Sequence, residues 1–113
     1  MTVTEVRMQV VSPDKLDTAA IVALEAAPTL VTDGIETIKF TEAVMWWFTG
    51  GTSATITYYV YSESSGAWAP VGTEAFTGSK AVLQQAGGAR MHARITTHGG
   101  GSYKRSFQRL RGS

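Results

Sequence analysis

The sequence predicts an all-β fold, a compact β-sandwich or jelly-roll-like domain of about eight short strands, with at most one short helix near residues 13–27. Three observations predict it. Apolar residues recur with period two along most of the chain, the period of a strand with one face against a core. The strands recur at roughly ten-residue spacing with glycine-rich turns among them (Gly50-Gly51, Gly66, Gly87-Gly88 and Gly99-Gly100-Gly101), as in sandwiches and barrels. The 113 residues are enough for one modest core, and no linker-like segment interrupts them, so residues 1–113 read as a single domain.

Residues 2–11 set Val6, Met8 and Val10 on one face and Glu5, Arg7 and Gln9 on the other, a half-buried strand. The next segment has two readings. Ser12, Pro13 and Asp14 suit an N-cap and first helical turn, followed by a stripe of Leu16, Ala19, Ala20, Ala23, Leu24 and Ala27 that ends before Pro28. Alternatively Pro13-Asp14 is a turn and residues 21–25 form a strand, which the surrounding β pattern favours. Thr32-Asp33-Gly34 is a turn with glycine free to take positive φ. In residues 35–40, Ile35, Thr37 and Lys39 alternate with Glu36, Ile38 and Phe40.

Residues 43–48 are apolar on both faces, as in a central strand or one at an interface. After Gly50-Gly51, residues 53–61 set Ile56, Tyr58 and Val60 against Thr55, Thr57, Tyr59 and Tyr61. Glu63-Ser64-Ser65-Gly66 turns into strands over 67–76 and 81–85, the second with the weaker pattern. Residues 90–97 turn Met91, Ala93 and Ile95 inward and His92, Arg94 and Thr96 outward, and residues 102–111 form the last strand.

The formal charge of +1 hides an uneven distribution. Residues 1–74 hold nine acids and three bases, a net of −6, whereas residues 75–113 hold seven bases and no acid, a net of +7. Such a split marks one end of the chain for a partner. On this reading residues 90–97 and 102–111, joined by the glycine run, form a basic hairpin that serves as the docking edge of an assembling subunit. Pairing with acids of residues 1–74, within the chain or on another copy, is favoured over nucleic acid, because a dedicated nucleic-acid binder carries a basic excess overall.

Chemistry is thinly represented. With no cysteine, disulfides, thiolate catalysis and cysteine-based metal sites are all excluded. His92 and His98 are six apart, an even spacing that puts both on one strand face, but a zinc site needs three or four ligands and the spacing implies no third. His98-Gly99-Gly100-Gly101 matches the letters of an esterase oxyanion loop without the Gly-x-Ser-x-Gly elbow that must accompany it. An enzyme is not expected, nor any cofactor or metal. No apolar run approaches the length that spans a bilayer, and residues 1–11 lack the apolar stretch of a signal peptide, so no membrane association or export is expected.

Interaction residues are easier to nominate. Adjacent Trp46 and Trp47 on a strand must point to opposite faces, so one tryptophan lies outside a single core. An outward tryptophan is an interface anchor or a sugar-stacking platform. The candidate interaction residues are therefore Trp46 and Trp47 with the basic set Arg90, Arg94, Lys104, Arg105, Arg109 and Arg111. A carbohydrate-binding alternative uses Trp46 or Trp47 with Trp68 and Tyr59; nucleic-acid binding through Arg94, Lys104, Arg105 and Arg109 is the weakest of the three.

The stretch Ala43-Val44-Met45-Trp46-Trp47-Phe48-Thr49-Gly50-Gly51-Thr52-Ser53-Ala54-Thr55-Ile56-Thr57-Tyr58-Tyr59-Val60-Tyr61-Ser62, followed by Gly66-Ala67-Trp68-Ala69-Pro70-Val71, resembles small structural proteins of tailed bacteriophages. Head-decoration (cement) proteins are the most similar, with tail, neck and head-spike proteins next. The resemblance covers residues 30–76 and lies in the order of an apolar strand, a glycine turn, an alternating strand and a late Gly-x-Trp. It carries no functional residue over by position, and the basic end departs from it. It implies a non-enzymatic virion component, a homo-oligomer such as a trimer that stabilises contacts between capsomers, with itself and a major capsid or other virion protein as partners.

Overall fold

Period-two alternation matures into strands throughout the computed structural model, which describes residues 8–12, 20–21, 24–37, 42–85 and 90–112. The strands are β1 (Met8–Ser12), β2 (Ala20–Ile21), β3 (Ile35–Glu36), β4 (Ala43–Thr49), β5 (Ser53–Ser62), β6 (Ala67–Thr77), β7 (Lys80–Gln85), β8 (Arg90–His98) and β9 (Tyr103–Gly112). The only helical element among the described residues is a 3-10 turn, Val31–Asp33. The fold is all-β, as the alternation requires.

Two antiparallel sheets form, one in the order β1-β9-β4-β7, with β2 also on β9, and one in the order β3-β8-β5-β6. The chain changes sheet at β2–β3, β3–β4, β4–β5, β6–β7, β7–β8 and β8–β9, so most sequence neighbours face each other across the core. With the short β2 set aside, that interleaving is the double Greek-key winding of a jelly roll.

Alternation then decides the core. Val44, Trp46 and Phe48 of β4 point inward and meet Ala54, Ile56 and Tyr58 of β5 and Met91, Ala93 and Ile95 of β8, with Tyr103 and Phe107 of β9 completing the cluster. Trp46 and Phe107 are directly opposite each other on β4 and β9, their rings 5.9 Å apart, within range of a favourable aromatic pair. The buried Gln84 amide joins the layers, accepting from Trp46 Nε1 at 2.8 Å and donating to the Tyr59 carbonyl at 3.3 Å. Both polar groups are thereby satisfied inside the core.

The turn after β4 depends on close approach. A β-carbon at Gly51 would collide with the buried Tyr103 ring, whose hydroxyl donates to the Gly78 carbonyl at 3.0 Å. Gly51→Ala is expected to destabilise the protein by about 1–3 kcal/mol through overpacking. A shift in the urea midpoint at unchanged m-value reads this out.

The N-terminal third departs most from the sequence expectations. Of the strand expected over 21–25, Ile21 lies in β2 (Ala20–Ile21), residues 22–23 lie outside the described residues, and residues 24–30 carry no regular structure. The alternative helix falls largely on residues 13–19 and 22–23, outside the described residues, as does much of the strand expected over 2–11. The strand expected over 35–40 is only Ile35–Glu36, with 38–41 outside the described residues. Gly34 does not take positive φ: it is extended, at φ −107°. Glycine is required there for space, because a β-carbon would strike the Trp68 ring and the Met91 carbonyl oxygen.

Candidate interaction surface

The outer face of the β1-β9-β4-β7 sheet collects what β4 does not bury. Opposite Trp46, the alternate residues Met45 and Trp47 point outward, Met45 directly across from Leu83 and Trp47 across from Ala81 on β7. On the other flank Met45 faces Gln108, Trp47 faces Ser106, and Thr49 faces Lys104 of β9. Trp47 is 39% exposed and Leu83 44%. The indole N–H of Trp47 donates to Gln108 Oε1 at 3.3 Å, which satisfies its one polar atom and leaves its apolar surface available. Met45, Trp47, Ala81 and Leu83 thus form a contiguous apolar patch rimmed by amides, hydroxyls and one lysine, the composition of an interface centre and its rim.

Leu83 also lines a cleft of about 470 Å³ where β7 stands opposite β5 and β6, shared with Tyr58, Val60, Val71, Gln84 and Gln85. Val71 is the residue by which β6 bulges between the partners of Tyr58 and Tyr59, and it is 56% exposed. Within this region Tyr58 donates to Glu74 Oε2 at 3.3 Å. Burial, reinforced by that carboxylate, pushes the phenol well above its ordinary range, so Tyr58 serves as a neutral donor.

Of the nominated residues, Trp47, Lys104 and Arg111 are exposed, and Trp47 and Lys104 share the outer face just described. Two nominations are corrected. Trp46 is fully buried, because its alternate neighbours Val44 and Phe48 take β4's inward face. Arg105 is 6% exposed and lies between the sheets, opposite Phe48, where it pairs with Glu25 Oε2 at 2.7 Å and donates to the Ala93 carbonyl at 2.9 Å. Neither presents its side chain to a partner. Arg94 is tied to the Tyr59 hydroxyl at 2.8 Å and the Glu25 carbonyl at 2.6 Å, and Arg109 to the Glu36 carbonyl at 2.8 Å. Arg90 approaches Glu36 at 3.7 Å.

Part of the charge split is therefore answered inside the subunit, where Glu25, Glu36 and Glu74 of the first portion meet Arg105, Arg90 and Lys80 of the second, the last pair at 3.3 Å. The basic hairpin is also corrected. β8 and β9 lie in different sheets, because the glycine run between them carries the chain across the core. β8 is paired by β5 and, at Arg90 and Met91, by β3, and β9 by β4 and, towards its ends, by β1 and β2, so neither is the edge strand of its sheet.

The histidines do not share a face. Ile56 pairs with Ile95 and Thr55 with Thr97, so Thr96 is an extra residue that reverses the alternation of β8. His92 accordingly lies outside the core sheet face near Trp68, ring centroids 6.2 Å apart, while His98 lies against Tyr103 at 5.6 Å. Among the described residues no three metal-ligating side chains come together. The sugar platform fails geometrically too, since Trp47 lies on the outer face of one sheet and Tyr59 and Trp68 on that of the other.

Sequence reasoning missed Glu25, which carries no motif, and Leu83, which sits on the strand with the weakest pattern. The parity shared by Met45 and Trp47 was the available signal for the patch. In comparisons with protein-family models, with curated proteins and with solved structures, no match to this chain was found.

Proposed function

We propose that this chain is a non-enzymatic structural subunit of a bacteriophage particle, of the capsid-decoration type, which stabilises contacts between capsomers. Its partners are other copies of itself and a major capsid or other virion protein, and its location is the virion. The observation that carries the reading is the apolar patch of Met45, Trp47, Ala81 and Leu83 on the outer sheet face, an anchor of the kind on which protein interfaces concentrate their energy. The likeness of residues 30–76 to small phage structural proteins supports it, as does a jelly roll, an architecture that virion subunits use; that last support is analogy of fold alone. No helix among the described residues is long and apolar enough to cross a membrane.

The test is co-sedimentation of the purified chain with capsids and, separately, with tails of the phage that encodes it. Saturable binding to capsids is expected. Binding to tails alone would move the subunit to the tail, and binding to neither would overturn the proposal.

A further inference from the structure

We propose that β7 is a pairing edge: two copies of the chain join their β7 strands antiparallel about a two-fold axis at Leu83. The β1-β9-β4-β7 sheet then runs through both subunits, and the apolar patch doubles in width.

The edges that the fold guards single this one out. An edge strand offers unpaired N–H and C=O groups to any strand that meets it, and the two sheets end on β1, β7, β3 and β6. Three of these are blunted. β3 is two residues long. β1 is short, and its pairing slips between Val10 and Ser12. β6 contains Pro70, bulges at Val71, and carries Glu74 on its inward parity, opposite Ile56 of β5. A proline, a bulge and an inward charge all discourage pairing at an edge.

β7 has none of these beyond its first residue. Lys80 opens the strand and is clipped to Glu74 at 3.3 Å. The run that follows, Ala81-Val82-Leu83-Gln84-Gln85, has no charge, proline or glycine, and its register on β4 is unbroken. Among the described residues β7 pairs with β4 alone. Beside Leu83, Gln84 and Gln85 the cleft shared with Tyr58, Val60 and Val71 leaves the sandwich open, with room for the side chains of a neighbouring strand.

Symmetry and charge then select the occupant and the register. A two-fold closure lets one edge serve both partners. Residues directly opposite in an antiparallel pair share a sheet face, so Ala81, Leu83 and Gln85 stay on the outer face of both copies only where odd meets odd. Centring on Leu83 uses the whole uncharged run: Leu83 meets its own copy, Val82 meets Gln84, Ala81 meets Gln85, and the two lysines stand at opposite ends. A parallel partner in register would instead set Lys80 beside Lys80, a like-charge pair. Across the axis the exposed Leu83 side chains cover one another, and Met45, Trp47 and Ala81 extend on each side as one apolar band. That this band docks on a virion protein rests on the function proposed above; the pairing does not.

Because the chain has no cysteine, single substitutions report the register. Leu83→Cys sets two thiols directly opposite, within the Cα separation a disulfide spans, and mild oxidation should give a covalent dimer. Trp47→Cys should not cross-link, since the two β4 strands lie roughly 14 Å apart, three strand spacings. Sedimentation equilibrium of the wild type should show a reversible dimer. Leu83→Glu should raise its dissociation constant at least about thirtyfold by facing two carboxylates across the axis, whereas Trp47→Ser should still dimerise. A monomeric wild type, or a Leu83→Cys chain that does not cross-link, would overturn the pairing. So would loss of the dimer in Trp47→Ser, which would make the contact a face-to-face stacking of patches. Capsid co-sedimentation separates the two proposals: a monomer that binds capsids refutes the pairing alone, and a dimer that binds none refutes the virion role alone.

Discussion

Glu25→Ala is expected to destabilise the folded protein by about 3 kcal/mol, the lower end of the cost of stripping a buried ion of its partner, since Glu25 itself keeps some contact with water. Its side chain is 21% exposed and that of Arg105 7%. Alanine removes the carboxylate partner of the Arg105 guanidinium, which keeps the Ala93 carbonyl, together with the acceptor of the Ile95 N–H. The backbone bonds of Glu25 to Ile95 and Arg94 remain, so the loss isolates the carboxylate. Glu25→Gln keeps an acceptor and should lose about half as much. Combining Glu25→Leu with Arg105→Met should recover much of the stability, because an apolar pair of similar volume avoids desolvating charge. Urea unfolding of the four proteins measures all three effects; a loss below about 1 kcal/mol in Glu25→Ala would show that the pair does not hold the sheets together.

Trp46→Ala is expected to cost about 3–5 kcal/mol, the range for truncating a fully buried aromatic residue. The fully buried indole packs in the core cluster between β4, β9 and the opposing sheet. Trp46→Phe separates packing from hydrogen bonding. It keeps most of the apolar volume but deprives Gln84 Oε1 of its donor, for an expected cost of about 1–3 kcal/mol. A phenylalanine variant as stable as the wild type would mean that the Trp46–Gln84 bond contributes nothing net. Thermal and urea unfolding should rank the variants alanine, phenylalanine, wild type in rising stability.

Strands β5 and β8 were legible because their apolar residues alternate, and β4 because its run is apolar on both faces, with glycines standing where the chain must reverse. Trp46 beside Trp47 likewise required one indole inside and one outside. Which one was settled by Val44 and Phe48, whose packing on β5 and β8 turns the even-numbered face of β4 inward. The role of the basic end was not legible, because the charge split is a property of order along the chain. The jelly roll places β8 and β9 in separate sheets, between strands from the acidic portion, and Glu25 and Glu36 meet Arg105 and Arg90 only after that interleaving. Thr96 shows the limit of parity arguments, since one bulged residue moved His98 to the opposite face from His92. Glu25 gave no local signal at all: its partners lie about seventy to eighty residues away in an irregular crossing that no periodicity describes.

The outer face of the β1-β9-β4-β7 sheet carries the functional reading, and Trp47 is its anchor. On the proposal that the chain is a capsid-decoration subunit, co-sedimentation with phage capsids, comparing wild type with Trp47→Ser and with Arg111→Ser, tests that claim most directly. Trp47 is partly exposed, so its replacement should leave folding intact while weakening capsid binding by about thirtyfold, the signature of an interface anchor. Arg111→Ser, an exposed change away from the patch, should bind within about twofold of wild type. Wild-type affinity in Trp47→Ser, with the folded chain still bound to capsids, would contradict the account.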